Sequence, residues 1–217
     1  SSAGKLNWSL EGISHNQIGA QTGRITIAND VILLPLSTGV LTAVDRFTGV
    51  KKWDYAFNLS RSGYSQNAFG AFNGEPKVYQ NKIYFGSLNG QFNAFTIGGD
   101  VIWQVPIGLR GSPLVISDSL FFVSDTEDLT RLSRRDGSLI WSKKLGKGTN
   151  LTKHFSPILI GSKIWVANSS GMLISFDPLT GNLIDKIESS SGFSGSPIYF
   201  SEKIILHTTQ GNLLAFR

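Results

Sequence analysis

The 217-residue chain contains no cysteine. That excludes disulfides, thiolate metal sites and cysteine nucleophiles. Long apolar runs are missing too: stretches such as Val31 to Leu36 are strand-sized and fall far short of the roughly 20 residues a membrane-spanning helix needs. The amino terminus carries no signal segment, so the chain is either cytosolic or one whose targeting segment has been removed. Histidine is scarce. His15, His154 and His207 are far apart, none lies near a carboxylate pair at metal-ligand spacing, and each is read as a surface or packing residue. A Gly-x-Ser-x-Gly elbow and a phosphate loop are both absent. Gly192-Phe-Ser194-Gly-Ser196 is rich in serine and glycine, but it lacks the spacing of a nucleophile turn and reads as a connection. No catalytic, metal-ligating or cofactor-binding residues are expected.

What the chain has in quantity is repetition. A turn glycine is followed four residues later by tryptophan in Gly4 to Trp8, Gly49 to Trp53, Gly99 to Trp103 and Gly137 to Trp141. A fifth copy, Gly181 to Asp185, keeps the frame and loses the ring. Spacings of 45, 50, 38 and 44 residues between these positions fit one four-stranded propeller blade per period. The repeat runs end to end without a linker, so residues 1–217 read as one all-β domain, a β-propeller of about five antiparallel blades. The blades are expected near 14–59, 60–108, 109–147, 148–190 and 191–217, the last completed by 1–12.

Each period reads alike. A strand entry that is often Ser-Pro, as at Ser112-Pro113, Ser156-Pro157 and Ser196-Pro197, suits proline because a strand's first residue loses no ladder hydrogen bond. A second apolar strand follows. A glycine (Gly39, Gly90, Gly171 or Gly211) then opens the third strand, as tight hairpins with positive φ require. Glu127 holds that slot in the third full copy, so a looser turn is expected there. The third strand ends in Asp-x-x-Thr-Gly at Asp45 to Gly49 and Asp177 to Gly181, where the aspartate accepts backbone N–H bonds. The recurring tryptophans are read as structural pins between blades. The last copy stops at Gly211 to Arg217, and Gly4 to Leu10 supplies the piece it lacks. Five blades closing on themselves and five blades of a larger ring are both open readings.

Charge is uneven. Between Arg131 and Lys153 stand seven basic residues and one acid, Asp136. No aromatic stacking motif is interleaved with them, so a solvated blade edge is favoured over a nucleic-acid surface. The connection from Phe57 to Gly74 differs: its only charge is Arg61, and it carries Phe57, Tyr64, Phe69 and Phe72 among Ser, Asn and Gly. Such composition matches protein-binding surfaces, although the same rings serve equally well as an internal plug. Residues His15, Asn16, Gln17 and Ile18 form a second candidate connection.

The signature Gly-x-Leu-x-Ala-x-Asp-x-x-Thr-Gly-x-x-x-Trp resembles the pyrroloquinoline-quinone-type propeller repeat. Within it, the stretch from Asp177 through Gly192-Phe193 and Pro197 to Gly211-Asn-Leu-Leu-Ala-Phe-Arg217 is similar to the carboxy-terminal end of the BamB family of outer-membrane protein assembly lipoproteins. The resemblance implies an eight-bladed propeller of which this chain is the carboxy-terminal portion. It also implies a lipid-anchored protein at the periplasmic face of the outer membrane, the lipidated cysteine being missing here. The implied role is a non-enzymatic scaffold that binds BamA and assists outer-membrane protein assembly, with strand addition by unfolded clients as a second implied contact. It places BamA contacts on inter-blade connections, with His15 to Ile18, Tyr64, Phe69, Phe72 and Asn73 as the candidates. The family can present arginine and aspartate there, whereas His15 to Gly23 is uncharged and Asn73 stands where an acid is expected. The alternatives are a quinone-dependent dehydrogenase and a general protein-interaction propeller. Against the quinone, the repeating acids Asp45, Asp136 and Asp177 sit beside turn glycines and already have structural work.

Overall fold

Short apolar runs separated by turn residues produce antiparallel meanders. A computed structural model describes residues 4–10, 23–57, 72–88, 90–146 and 152–217. Among them every regular element is a β-strand, grouped into five sheets. The chain divides into two compact units, 1–109 and 110–217.

In the first unit, β1 (Thr26–Ala28), β2 (Val31–Pro35), β3 (Val40–Asp45) and β4 (Lys51–Ala56) form one sheet in sequence order. A second is formed by β5 (Lys77–Tyr79), β6 (Lys82–Ser87), β7 (Gln91–Thr96) and β8 (Val101–Val105). Their facing sides share a core in which Leu33, Leu41 and Ala43 meet Ile83, Phe85 and Phe95. In the second unit, β9 (Leu109–Ile116), β10 (Ser119–Ser124), β11 (Asp128–Ser133) and β12 (Leu139–Lys144) form a sheet. It packs on β13 (Ile158–Ile160), β14 (Lys163–Ala167), β15 (Met172–Phe176) and β16 (Leu183–Glu188) through Phe121, Val123, Ile164, Val166 and Ile174. A last sheet, β17 (Ile198–Phe200), β18 (Lys203–His207) and β19 (Leu213–Phe216), has three strands. Residues 4–10, expected to complete it, form no strand.

Register explains the alternation of small and large residues. Leu33 faces Ala43, which faces Trp53; Tyr84, Ala94 and Trp103 form the same row in the next sheet. A β-bulge follows that row in each of the four-stranded sheets, adding the local twist that a radial blade needs. In the fourth sheet the row is Trp165, Ser175, Asp185. The ring has moved inward to the second strand, and Asp185 instead accepts hydrogen bonds from Lys163 Nζ (2.7 Å) and Ser175 Oγ (2.8 Å).

The pins have a defined seat. Trp8 Nε1 donates to Arg46 O at 3.1 Å, Trp53 Nε1 to Ile97 O at 2.9 Å and Trp141 Nε1 to Leu179 O at 3.1 Å. Each acceptor lies in the turn between third and fourth strands of the following repeat. A Cβ added at Gly49, Gly99 or Gly181 would fall 2.6, 2.7 or 2.9 Å from the visiting ring, so glycine is needed there for space as well as for its positive φ.

Two expectations require correction. The Ser112-Pro113 entry lies inside β9, which starts at Leu109; β9 is an edge strand, where proline costs no ladder bond on its open side. The Glu127 turn is no looser than the others. Glu127 takes φ +61° and its N–H donates to Ser124 O at 3.0 Å, matching Gly39 to Leu36 O at 3.0 Å and Gly171 to Asn168 O at 3.2 Å.

Candidate partner-binding face

A four-stranded meander places its 2–3 hairpin at the same end as the chain's entry and exit. The inter-blade connections must therefore run over those hairpins. Backbone bonds bear this out within each unit: Phe57 N donates to Gly39 O (3.0 Å), Ser189 N to Gly171 O (2.8 Å) and Thr209 N to Gly192 O (2.8 Å). The Asp-x-x-Thr-Gly turns occupy the opposite end. There Asp45 Oδ1 accepts from the N–H groups of Phe47 and Thr48, both at 3.0 Å, and Asp177 Oδ1 from those of Leu179 (2.8 Å) and Thr180 (2.7 Å). The N–H of Thr48, then that of Phe47, hold the Asp45 carboxyl down to about 2. Asp136 occupies the threonine position of its turn, and the Ser133 and Ser138 hydroxyls lower it to about 2. These three carboxylates are committed to turn geometry.

At the hairpin end of the first unit, Phe57 and Phe72 leave the connection for the core. Phe72 is 1% exposed and meets Phe57 edge-on with centroids 5.2 Å apart. The ring therefore belongs to the internal plug, which corrects its candidacy as a partner contact: an aromatic with sheet walls on both sides gains more from burial than from display. Asn73 is exposed beside it. Beneath, Tyr55 OH accepts from Gln91 Nε2 and Asn93 Nδ2, each at 3.0 Å, tying the first two sheets together. His15, Asn16, Gln17, Ile18, Tyr64 and Phe69 lie outside the described residues.

In the second unit the hairpin end carries a network that no sequence spacing announced. Glu127 Oε2 accepts from His154 Nδ1 (2.8 Å) and the His154 backbone N–H (3.1 Å), while Oε1 faces Arg110 Nε at 2.7 Å. The Arg110 N–H is not aligned with that oxygen, so charge attraction rather than a directed hydrogen bond holds the pair. Asn168 Oδ1 is spent on the N–H groups of Ser170 and Met172. Its Nδ2 therefore points to His154 Nε2 at 3.4 Å, leaving Nδ1 as the histidine's donor toward Glu127. Burial raises the Glu127 pKa, but the His154 hydrogen bond and the Arg110 charge outweigh it, and the net shift is downward. The His154 side chain is 3% exposed, which makes the network a fastening for the connection. The one available signal was glutamate in a slot where the other copies have glycine. His207 lies at the end of β18, with Nδ1 2.6 Å from Ser194 Oγ.

The basic stretch is divided in use. Arg131 donates to Ser119 Oγ, Pro178 O and Leu179 O, and Arg134 to Ser117 O and Asp118. Lys143 and Lys144 remain on the outer strand β12.

A family model described as outer membrane protein assembly factor BamB matches residues 1–143 and 99–217. The BamB protein of Legionella pneumophila is 24% identical over 188 residues, covering 86% of this chain and 48% of that protein. That of Shewanella oneidensis is 25% identical over 248 residues, covering 90% of this chain and 60% of its own length. The chain thus spans about half to three-fifths of these relatives. The crystal structure of BamB from Moraxella catarrhalis superposes with a TM-score of 0.83 at 17% identity, over 98% of this chain and 63% of that one. The quinohemoprotein alcohol dehydrogenase of Comamonas testosteroni matches with a TM-score of 0.67 at 13% identity, over 90% of this chain and 42% of its own. Both likenesses establish the fold, a β-propeller.

Proposed function

The chain belongs to the BamB family of outer membrane protein assembly factors, and from that premise we propose that it is a non-enzymatic scaffold in the assembly of outer-membrane proteins. It works at the periplasmic face of the outer membrane and binds the barrel-assembly protein BamA through the connections at its hairpin end. The match of the family model along the whole chain carries this reading. Geometry supports the choice of face. The described turns at the opposite end are occupied in seating tryptophans, while the connections vary in length and composition between copies. With Phe72 in the core, the contact residues are His15 to Ile18, Tyr64, Phe69 and Asn73.

Retention of BamA's soluble periplasmic domains on the immobilised chain tests this. Replacing Tyr64 and Phe69 together by serine is expected to weaken retention at least tenfold, since aromatic anchors dominate such surfaces. Replacing Phe47, exposed on an opposite-end turn, leaves it unchanged. Equal retention by both variants would refute the assignment of the face.

A further inference from the structure

The segment that leads into β5 carries a residue whose chemistry neither the fold nor the family reading uses. Asn73 is followed by Gly74; the same pair occurs at one other place, Asn89-Gly90, whose asparagine lies outside the described residues. Asn73 is exposed and belongs to no strand. Its side-chain amide makes no hydrogen bond among the described residues, and neither does the Gly74 N–H. By contrast Asn29 and Asn168, followed by Asp30 and Ser169, are held: Asn29 Nδ2 donates to Asn81 Oδ1 at 3.3 Å, and Asn168 Oδ1 accepts from the N–H groups of Ser170 and Met172. The neighbours of Asn73 are fixed on both sides. Phe72 is buried in the aromatic plug. Gly74 O accepts from the Arg24 N–H at 3.1 Å, and Pro76 O accepts from the Thr26 hydroxyl at 2.8 Å. Gly74 is itself buried at this seam, where a Cβ on Gly23 would fall 2.9 Å from its carbonyl oxygen.

Glycine has no Cβ to shield its backbone nitrogen and little resistance to turning that nitrogen toward the preceding side chain. An asparagine before glycine is therefore open to attack by its own main chain. We propose that Asn73 is a site of spontaneous deamidation and that the folded chain directs the product to aspartate. The Gly74 nitrogen attacks Asn73 Cγ. A C–N bond forms, the Cγ–Nδ2 bond breaks, and the Gly74 proton leaves with the amide nitrogen as ammonia, closing a five-membered succinimide. Water then opens the ring. Attack at Cγ gives aspartate with the backbone unchanged; attack at the main-chain carbonyl gives isoaspartate, whose backbone is one methylene longer. The two anchors decide between these outcomes. An extra methylene between Phe72 and Gly74 has to displace either the plug or the Gly74 carbonyl from Arg24, whereas aspartate disturbs neither. The product carries a fixed negative charge at the hairpin end of the first unit, and a charge-changing modification acts by the same rules as any other charge. The chemistry stands on its own; only its consequence for binding rests on the reading of Asn73 as a partner contact.

The test is peptide mass mapping of the full chain held at pH 8.5 and 37 °C and sampled over two weeks. A gain of about 1 Da is expected in the peptide that contains Asn73, and none in the corresponding peptide of Asn73→Ser; mapping separates this site from Asn89. Aspartate and isoaspartate are resolved by electron-transfer fragmentation. Their ratio is expected to be at least threefold higher in the folded chain than in a synthetic peptide spanning residues 70–77 aged alongside it. An unchanged mass at Asn73 overturns the proposal, and so does a ratio equal to that of the free peptide. Retention of BamA's periplasmic domains by Asn73→Asp reads the consequence separately and is expected to differ from the parent's at least threefold at low salt. Equal retention would remove Asn73 from the contact set and the consequence for binding with it, while the mass shift alone decides the chemistry.

Discussion

Replacing Glu127 separates two opposing contributions at a single residue. Its φ of +61° places a non-glycine side chain in the left-handed region, at a cost of about 1 kcal/mol or somewhat more. Against this, its carboxylate satisfies two N–H groups of His154 and balances Arg110. Hydrogen bonds to a charged acceptor contribute about 1.5 kcal/mol each at the low end; with the Glu127 side chain 27% exposed, about 3 kcal/mol for the two is the appropriate scale. Glu127→Ala loses the carboxylate and keeps the backbone strain, so a loss of about 3 kcal/mol is expected. Glu127→Gly loses the same contacts but relieves the strain, for a net loss of about 2 kcal/mol. Urea unfolding of the three proteins, followed by tryptophan fluorescence, measures both values. The order parent, glycine variant, alanine variant is the signature of the network. A glycine variant as stable as the parent would show that the carboxylate contributes no more than the roughly 1 kcal/mol of strain it offsets, and would refute the account of this hairpin.

Other outcomes follow from the turns. Gly49→Ala places a methyl group against the Trp8 ring and is expected to cost about 3 kcal/mol. Gly161→Ala, with positive φ but nothing within 4 Å, is expected to cost only about 1 kcal/mol; thermal unfolding distinguishes them, and equal losses would remove the seat argument. Asp45 and Asp136 are held at about 2 against an ordinary 3.8. Because the folded-state value is the lower one, their contribution is fully present above about pH 4 and is lost as pH falls toward 2. Asp45→Asn and Asp136→Asn are each expected to flatten the fall of the melting temperature over that interval, and an unaltered slope would contradict it.

Strand positions were legible because short apolar runs and turn residues are local properties. The third strands expected to open after Gly171 and Gly211 are observed at Met172–Phe176 and Leu213–Phe216. What escaped were relations between distant residues. The Gly-x-x-x-Trp spacing is visible in the chain, but nothing in it tells that Trp53 serves Gly99 rather than its own Gly49. Glu127 and His154 are brought together by sheet packing across 27 positions. Phe72 illustrates the limit for site prediction: an aromatic in an uncharged connection has the same composition whether it faces a partner or the core. Trp165, which takes over the aromatic place in the fourth row, lay outside the repeated frame and carried no positional signal.

The way the indole rings are housed bears on how such a protein grows. One pentapeptide, from glycine to tryptophan, carries both a socket for the neighbour behind and a plug for the neighbour ahead. A period that keeps both residues, copied or excised at the level of the gene, therefore brings its own couplings to neighbours of the same kind. Changing the number of blades demands no newly evolved interface, only another link of the same pattern.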